Sequence, residues 1–172
     1  QSKLKFANNF KLPASLTEKL EKSTDTFQPA GESMAWKYLK SFTNERVKDY
    51  TYNISKPEKS RISCSRLSPF ISWGNLNIRI VYQHLTKLKK NKMNLRSINA
   101  VISRLHWHCH FIQKFEVDYT YETDFINKGF NTLTRKLNKN YIEAWKNGQT
   151  GYPLIDASMR AVKKTGWLNF RM

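Results

Sequence analysis

Acidic residues are scarce in this chain. Its 172 residues hold 13 Asp and Glu against 30 Lys and Arg, a formal net charge of +17. So few carboxylates give no sign of a paired acid–base dyad. Two cysteines, Cys64 and Cys109, cannot build a disulfide framework and fit a reducing compartment. Six glycines and five prolines are too few for a collagen-like or low-complexity chain. No apolar run reaches the roughly 18 residues of a membrane-spanning helix. The opening stretch QSKLKFANNFK is polar and begins without Met, so no leader peptide is expected in it. That beginning, with an abrupt end at Met172 after a tryptophan-rich segment, suggests a piece of a longer protein.

Aromatic residues, by contrast, make up 13% of the chain, which argues against simple disorder. Lysine outnumbers arginine and asparagine is abundant, a bias that compositional drift alone can produce. Position is more informative. Between Ile54 and Arg104 stand 11 basic residues and one acid, Glu58. A concentrated cationic surface attracts polyanions, because each neutralised phosphate releases condensed counterions. Nucleic acid is the partner this distribution implies.

Apolar spacing predicts an all-α domain. A short helix is expected from Pro13 to about Lys22. A longer one follows Gly31, with Ala35, Leu39, Phe42, Val47 and Tyr50 on one face. Residues 51–63 read as a loop around Pro57, and Ser68-Pro69 as a helix start. Ile78 to Leu88 forms the next helix, whose closing lysines suit its negative dipole end. Leu95, Ile98, Val101, Ile102, Leu105, Ile112 and Phe115 mark the longest helix. Weaker helices are expected over 124–134 and 141–146, and a last one from Pro153 to Thr165-Gly166. No segment alternates with period two.

Several motifs carry candidate chemistry. His106 and His110 stand four apart within HWHCH and could share a metal, yet no further ligand is spaced to complete a zinc site. Histidines lining a cleft or the core are the ordinary reading, and no metal is expected. Gly-rich phosphate loops and a GxSxG elbow are absent, and Cys109 points away from its histidine neighbours. Cys64-Ser65-Arg66-Leu67-Ser68-Pro69 places two hydroxyls and a cation before a helix start, which suits a phosphate or diphosphate as well as ordinary capping by Ser68. Trp73, Trp107, Trp145 and Trp167 accompany basic residues, a combination that suits stacking on a cofactor or base.

Together these segments resemble the helical FAD-binding domain of the photolyase/cryptochrome family. The resemblance rests on CSRLSPFISWGNL at 64–76, on Leu105-His-Trp107, and on AWKNGQTGYPLIDASMR at 144–160 with Thr165-Gly-Trp167. It covers residues 29–172, and residues 1–28 read as a linker and lead-in. The resemblance implies FAD as cofactor, light-driven splitting of pyrimidine dimers in DNA, and a location with the DNA, cytoplasmic or, in a eukaryote, nuclear. An antenna domain with its own chromophore would precede this region. Later helices would supply the remaining flavin contacts, so this stretch alone is expected to hold FAD weakly.

Carried over by position, Tyr52, Cys64, Ser65, Arg66, Leu67 and Ser68 match flavin-contacting residues, with Cys64 in place of a Thr. Lys56, Trp107 and Arg171 match DNA- and lesion-facing residues. Three positions on that wall depart from the dimer-repair pattern: Arg104 stands for a Glu, His108 for an Arg, and Phe170 for an Asn. His108 becomes a candidate proton donor. Arg135 replaces the surface tryptophan of the electron relay, leaving Tyr141 or Trp145 as another route. Two alternatives stand beside repair: a blue-light photoreceptor of cryptochrome type, and a basic helical module that binds DNA without flavin.

Overall fold

A computed structural model describes residues 11–21 and 26–172. The described residues form helices and turns without a strand, as the apolar spacing predicts. The lead-in, 1–28, lies partly outside them. Helix α1 spans Ala14–Glu21, and α2 spans Glu32–Ser41. The apolar face that α2 begins is kept by a change of pitch rather than by one continuous helix. Phe42 to Val47 is a step of five, and Phe42–Arg46 forms a π turn in which the Val47 N–H donates to the Phe42 carbonyl. Val47 to Tyr50 is a step of three, and Val47–Asp49 forms a 3-10 turn. All five side chains, Ala35 to Tyr50, therefore reach the same core.

The segment 51–63 corrects the expected loop. It holds the end of α3 (Tyr50–Asn53) and all of α4 (Pro57–Ser63). Pro57 occupies the first helical turn, where its missing N–H costs nothing, and Lys56 before it is extended. The inward face of α4 is polar, which hid it from an apolar pattern. Ser60 donates to the Pro57 carbonyl (2.9 Å) and Ser63 accepts from Asn53 (2.9 Å).

Next come α5 (Ser68–Ser72), α6 (Ile78–Lys89) and α7 (Leu95–Val117). Asn77 caps α6 by accepting the Arg79 N–H at 2.8 Å. Leu67, Phe70, Leu76, Val81, Leu85, Ile98, Val101 and Leu105 complete the core. The apolar face of α7 is thus used only to Leu105; Ile112 and Phe115 remain 47% and 44% exposed. The helix expected over 124–134 is instead a 3-10 turn at Lys128–Thr132, preceded by another at Tyr119–Glu122. Asp118 and Asn127 accept the N–H groups of Thr120 and Gly129, bonds that compete with continued helix.

An α8–α9 hairpin (Lys139–Asn147 and Pro153–Thr165) closes the chain. Its turn is organised by buried Asp156, which accepts from the Thr150 hydroxyl (2.7 Å) and from the N–H groups of Thr150 (2.8 Å) and Gly151 (3.0 Å). The Thr150 hydroxyl, more than any other group, holds this carboxyl below its ordinary pKa. A lowered folded-state pKa adds stability that is present above the ordinary Asp value near 3.9 and is lost as pH falls through the folded value. An Asp156→Asn chain should therefore melt below the wild type at neutral pH, with the gap closing in acid. Equal gaps at both pH values would contradict this account.

Candidate functional site

The segment between α4 and α5 is fixed from behind by Arg46, the last residue of the π turn. Its Nη1 donates to the carbonyls of Ile62 (3.0 Å) and Cys64, and its Nη2 to those of Tyr38 (3.0 Å) and Ser65 (3.5 Å). Burial lowers the Arg46 pKa, while Tyr38 and Cys64 oppose that shift. A planar guanidinium can serve several carbonyls at once, and none of this shows in a sequence pattern.

Arg66 takes a left-handed backbone, φ 60°. This costs a non-glycine residue about 1–2 kcal/mol, so its surroundings must hold it. Gln28 donates to its carbonyl at 2.6 Å, and its guanidinium lies 4.2 Å from the Trp167 ring centroid. Ser65 and Ser68 stand on either side of this turn. Ser68 does not cap α5 as expected: it is the first helical residue, and Leu67 takes the cap position without a side-chain bond. The Ser65 hydroxyl instead accepts the Leu67 N–H at 3.4 Å.

This segment forms one wall of a cavity of about 530 Å³, within the range of small-molecule sites. Arg104, Trp107 and Phe170 line it as well, so it gathers Cys64, Ser65, Arg66, Leu67 and Ser68 with three lesion-wall candidates. The i, i+3 spacing of Arg104 and Trp107 turns both the same way from α7. Asn169, which also lines the cavity, anchors the neighbouring Phe170 by donating to the Ile54 carbonyl at 2.8 Å. Burial pushes the Tyr50 hydroxyl up to about 12 and raises the Cys64 thiol, so both are neutral hydrogen-bonding groups at pH 7.

Four candidates lie elsewhere. Tyr52 is 67% exposed and packs near Arg96. Lys56 is exposed at the start of α4, and Arg171 is exposed outside the lining. His108, one residue past Trp107, turns into a smaller cleft of about 240 Å³ that shares Ser65, Leu67, Ser68 and Arg104 with the main cavity. His106 approaches the Tyr82 ring and His110 the Trp107 ring. No group of three metal-ligating side chains occurs among the described residues.

Comparison with known proteins accounts for this arrangement. Residues 101–172 match the family model for the FAD binding domain of DNA photolyase. A deoxyribodipyrimidine photo-lyase of Alkalihalophilus pseudofirmus is 29% identical over 89% of this chain and 31% of its own length. Cryptochrome DASH of Synechocystis is 32% identical over 74% of this chain and 26% of its own. The chain belongs to the photolyase/cryptochrome family. A solved bacterial class III photolyase from Agrobacterium tumefaciens has the same fold, with a TM-score of 0.77 at 23% identity over 86% of this chain and 30% of that one. The chain thus spans under a third of the length of these relatives.

FAD is the cofactor of this photolyase/cryptochrome domain, and the cavity suits it. Ser65, Ser68 and Arg66 are among its lining residues, two hydroxyls and a guanidinium of the kind a diphosphate needs as donors. The Arg66 Nε is buried without a hydrogen-bond partner among the described residues, a donor left over for a bound anion. Trp107, Phe111 and Phe170 give the rest of the cavity an aromatic lining. Arg46, Gln28, Tyr50 and Asn169 escaped the motif reading because they hold backbone or support the wall.

Proposed function

We propose that this chain forms the phosphate-side wall of the flavin site, and one wall of a DNA-facing cavity, in a light-driven photolyase that splits pyrimidine dimers. The observation that carries this reading is that the Cys64–Ser68 segment and the lesion-wall residues Arg104, Trp107 and Phe170 line one cavity. Bound in reduced form, FAD would supply light-driven electron transfer to the dimer. Ser65, Arg66 and Ser68 would hold its diphosphate, in the cavity that Cys64 and Leu67 also line. Trp107 would offer a ring face to an extruded base, in the same cavity that the 64–68 segment lines. Lys56, Arg171 and the cations of 54–104 attract the DNA backbone outside the cavity.

A photoreceptor without repair is the second reading. It is favoured by the Arg104 guanidinium lying 4.8 Å from the Phe170 ring centroid, two residues that stand where the dimer-repair pattern has Glu and Asn. The two readings separate in one assay. Full-length protein carrying reduced flavin is illuminated with an oligonucleotide containing a cyclobutane dimer, and dimers are counted. Repair predicts light-dependent loss; an unchanged dimer count with flavin bound supports the photoreceptor.

A further inference from the structure

Within this proposed reading, we infer that Arg104 selects the substrate: it holds the phosphate inside an extruded dinucleotide while Trp107 takes the face of a base. Arg104 stands at the partition between the main cavity and the smaller cleft, and it lines both. Neither is lined by a carboxylate, and Arg104 forms no ion pair with a described acid. No carboxylate among the described residues therefore offsets this cation where a ligand would sit; its partner there is the neutral Tyr50 hydroxyl.

The chemistry around it narrows the ligand. Arg104 lies 4.8 Å and Arg171 4.9 Å from the Phe170 ring centroid, so two guanidiniums share one ring. Arg104 also donates to the Tyr50 hydroxyl, which lines the same two cavities, and the remaining N–H groups of its five-donor fork are available to a ligand. An anion beside this pair relieves the repulsion between the two cations and accepts those bonds. One helical turn along α7, half-exposed Trp107 offers an aromatic surface to the same cavity. A planar ring tethered to an anion is what a nucleotide presents. A Glu at position 104 would repel that phosphate, so Arg104 changes what the wall accepts.

The test measures binding of full-length protein to a dimer-containing oligonucleotide across a salt series. Arg104 is exposed, so an Arg104→Gln protein should fold and keep its flavin, which absorbance verifies. Its affinity should fall about tenfold, the scale of one charge-assisted bond, and its log–log salt slope should shrink by about 0.7–0.9. A second oligonucleotide carries a neutral methylphosphonate between the two dimerised bases. The wild type should bind it about as weakly as Arg104→Gln binds the natural one, and the variant should not distinguish the two. Equal wild-type affinity for both oligonucleotides overturns the role of Arg104, as does an affinity loss without a change in slope. A wild type that does not prefer damaged over undamaged DNA instead overturns the repair reading beneath it.

Discussion

An Arg46→Ala protein should lose its flavin and much of its stability together. Arg46 is half-buried at the end of a π turn, and its guanidinium reaches carbonyls in α2 and in the 62–65 segment. Hydrogen bonds to a charged group contribute about 1.5–3 kcal/mol each, and those from one side chain do not add fully. Removing all of them should cost about 3 kcal/mol or more, a large share of the roughly 5–15 kcal/mol that holds a typical domain. The functional loss follows from the same contacts, since the segment they fix carries Ser65 to the cavity. Arg46→Lys should be intermediate, because an ammonium cannot span several carbonyls as a planar fork does. Urea unfolding and the flavin-to-protein absorbance ratio check both effects. A variant that unfolds like the wild type with full flavin would contradict this role.

The contrast between Arg46 and Ser65 shows what the sequence could reveal. Ser65, Arg66 and Ser68 belong to a motif with its own chemistry, and the structure gathers them with Arg104, Trp107 and Phe170. Arg46 bonds to carbonyls, which every residue carries, so it leaves no pattern. The same holds for helices. The start of α6 and both ends of α9 follow from Asn77, Pro153 and Gly166, whereas α4 turns serines inward and reads as a loop. The π turn sits in the five-residue step from Phe42 to Val47, a signal visible only when the spacing is counted rather than matched to 3.6. Tyr52 and His108 were placed by position in a motif. Neighbours on a helix diverge by about 100°, so His108 opens on a different cleft from Trp107.

Replacing Ser65 and Ser68 together with Leu should have the largest effect on the cofactor. Both residues lie at the edge of the core: Ser68 is exposed, and the Ser65 hydroxyl makes one long bond, to the Leu67 N–H. Loss of that bond costs about 1 kcal/mol, so the fold should survive. The cofactor loses much more. On the proposed reading two donors to its diphosphate disappear, the charge they would solvate is left in an apolar wall, and the added side chains narrow a cavity of about 530 Å³.

Visible absorption of the full-length protein, wild type and Ser65→Leu/Ser68→Leu, tests directly whether this wall holds FAD. The wild type should show stoichiometric flavin, and the variant should be colourless at nearly the wild-type melting temperature. A wild type that cannot be loaded with FAD, or a variant that keeps its full flavin band, would contradict the account.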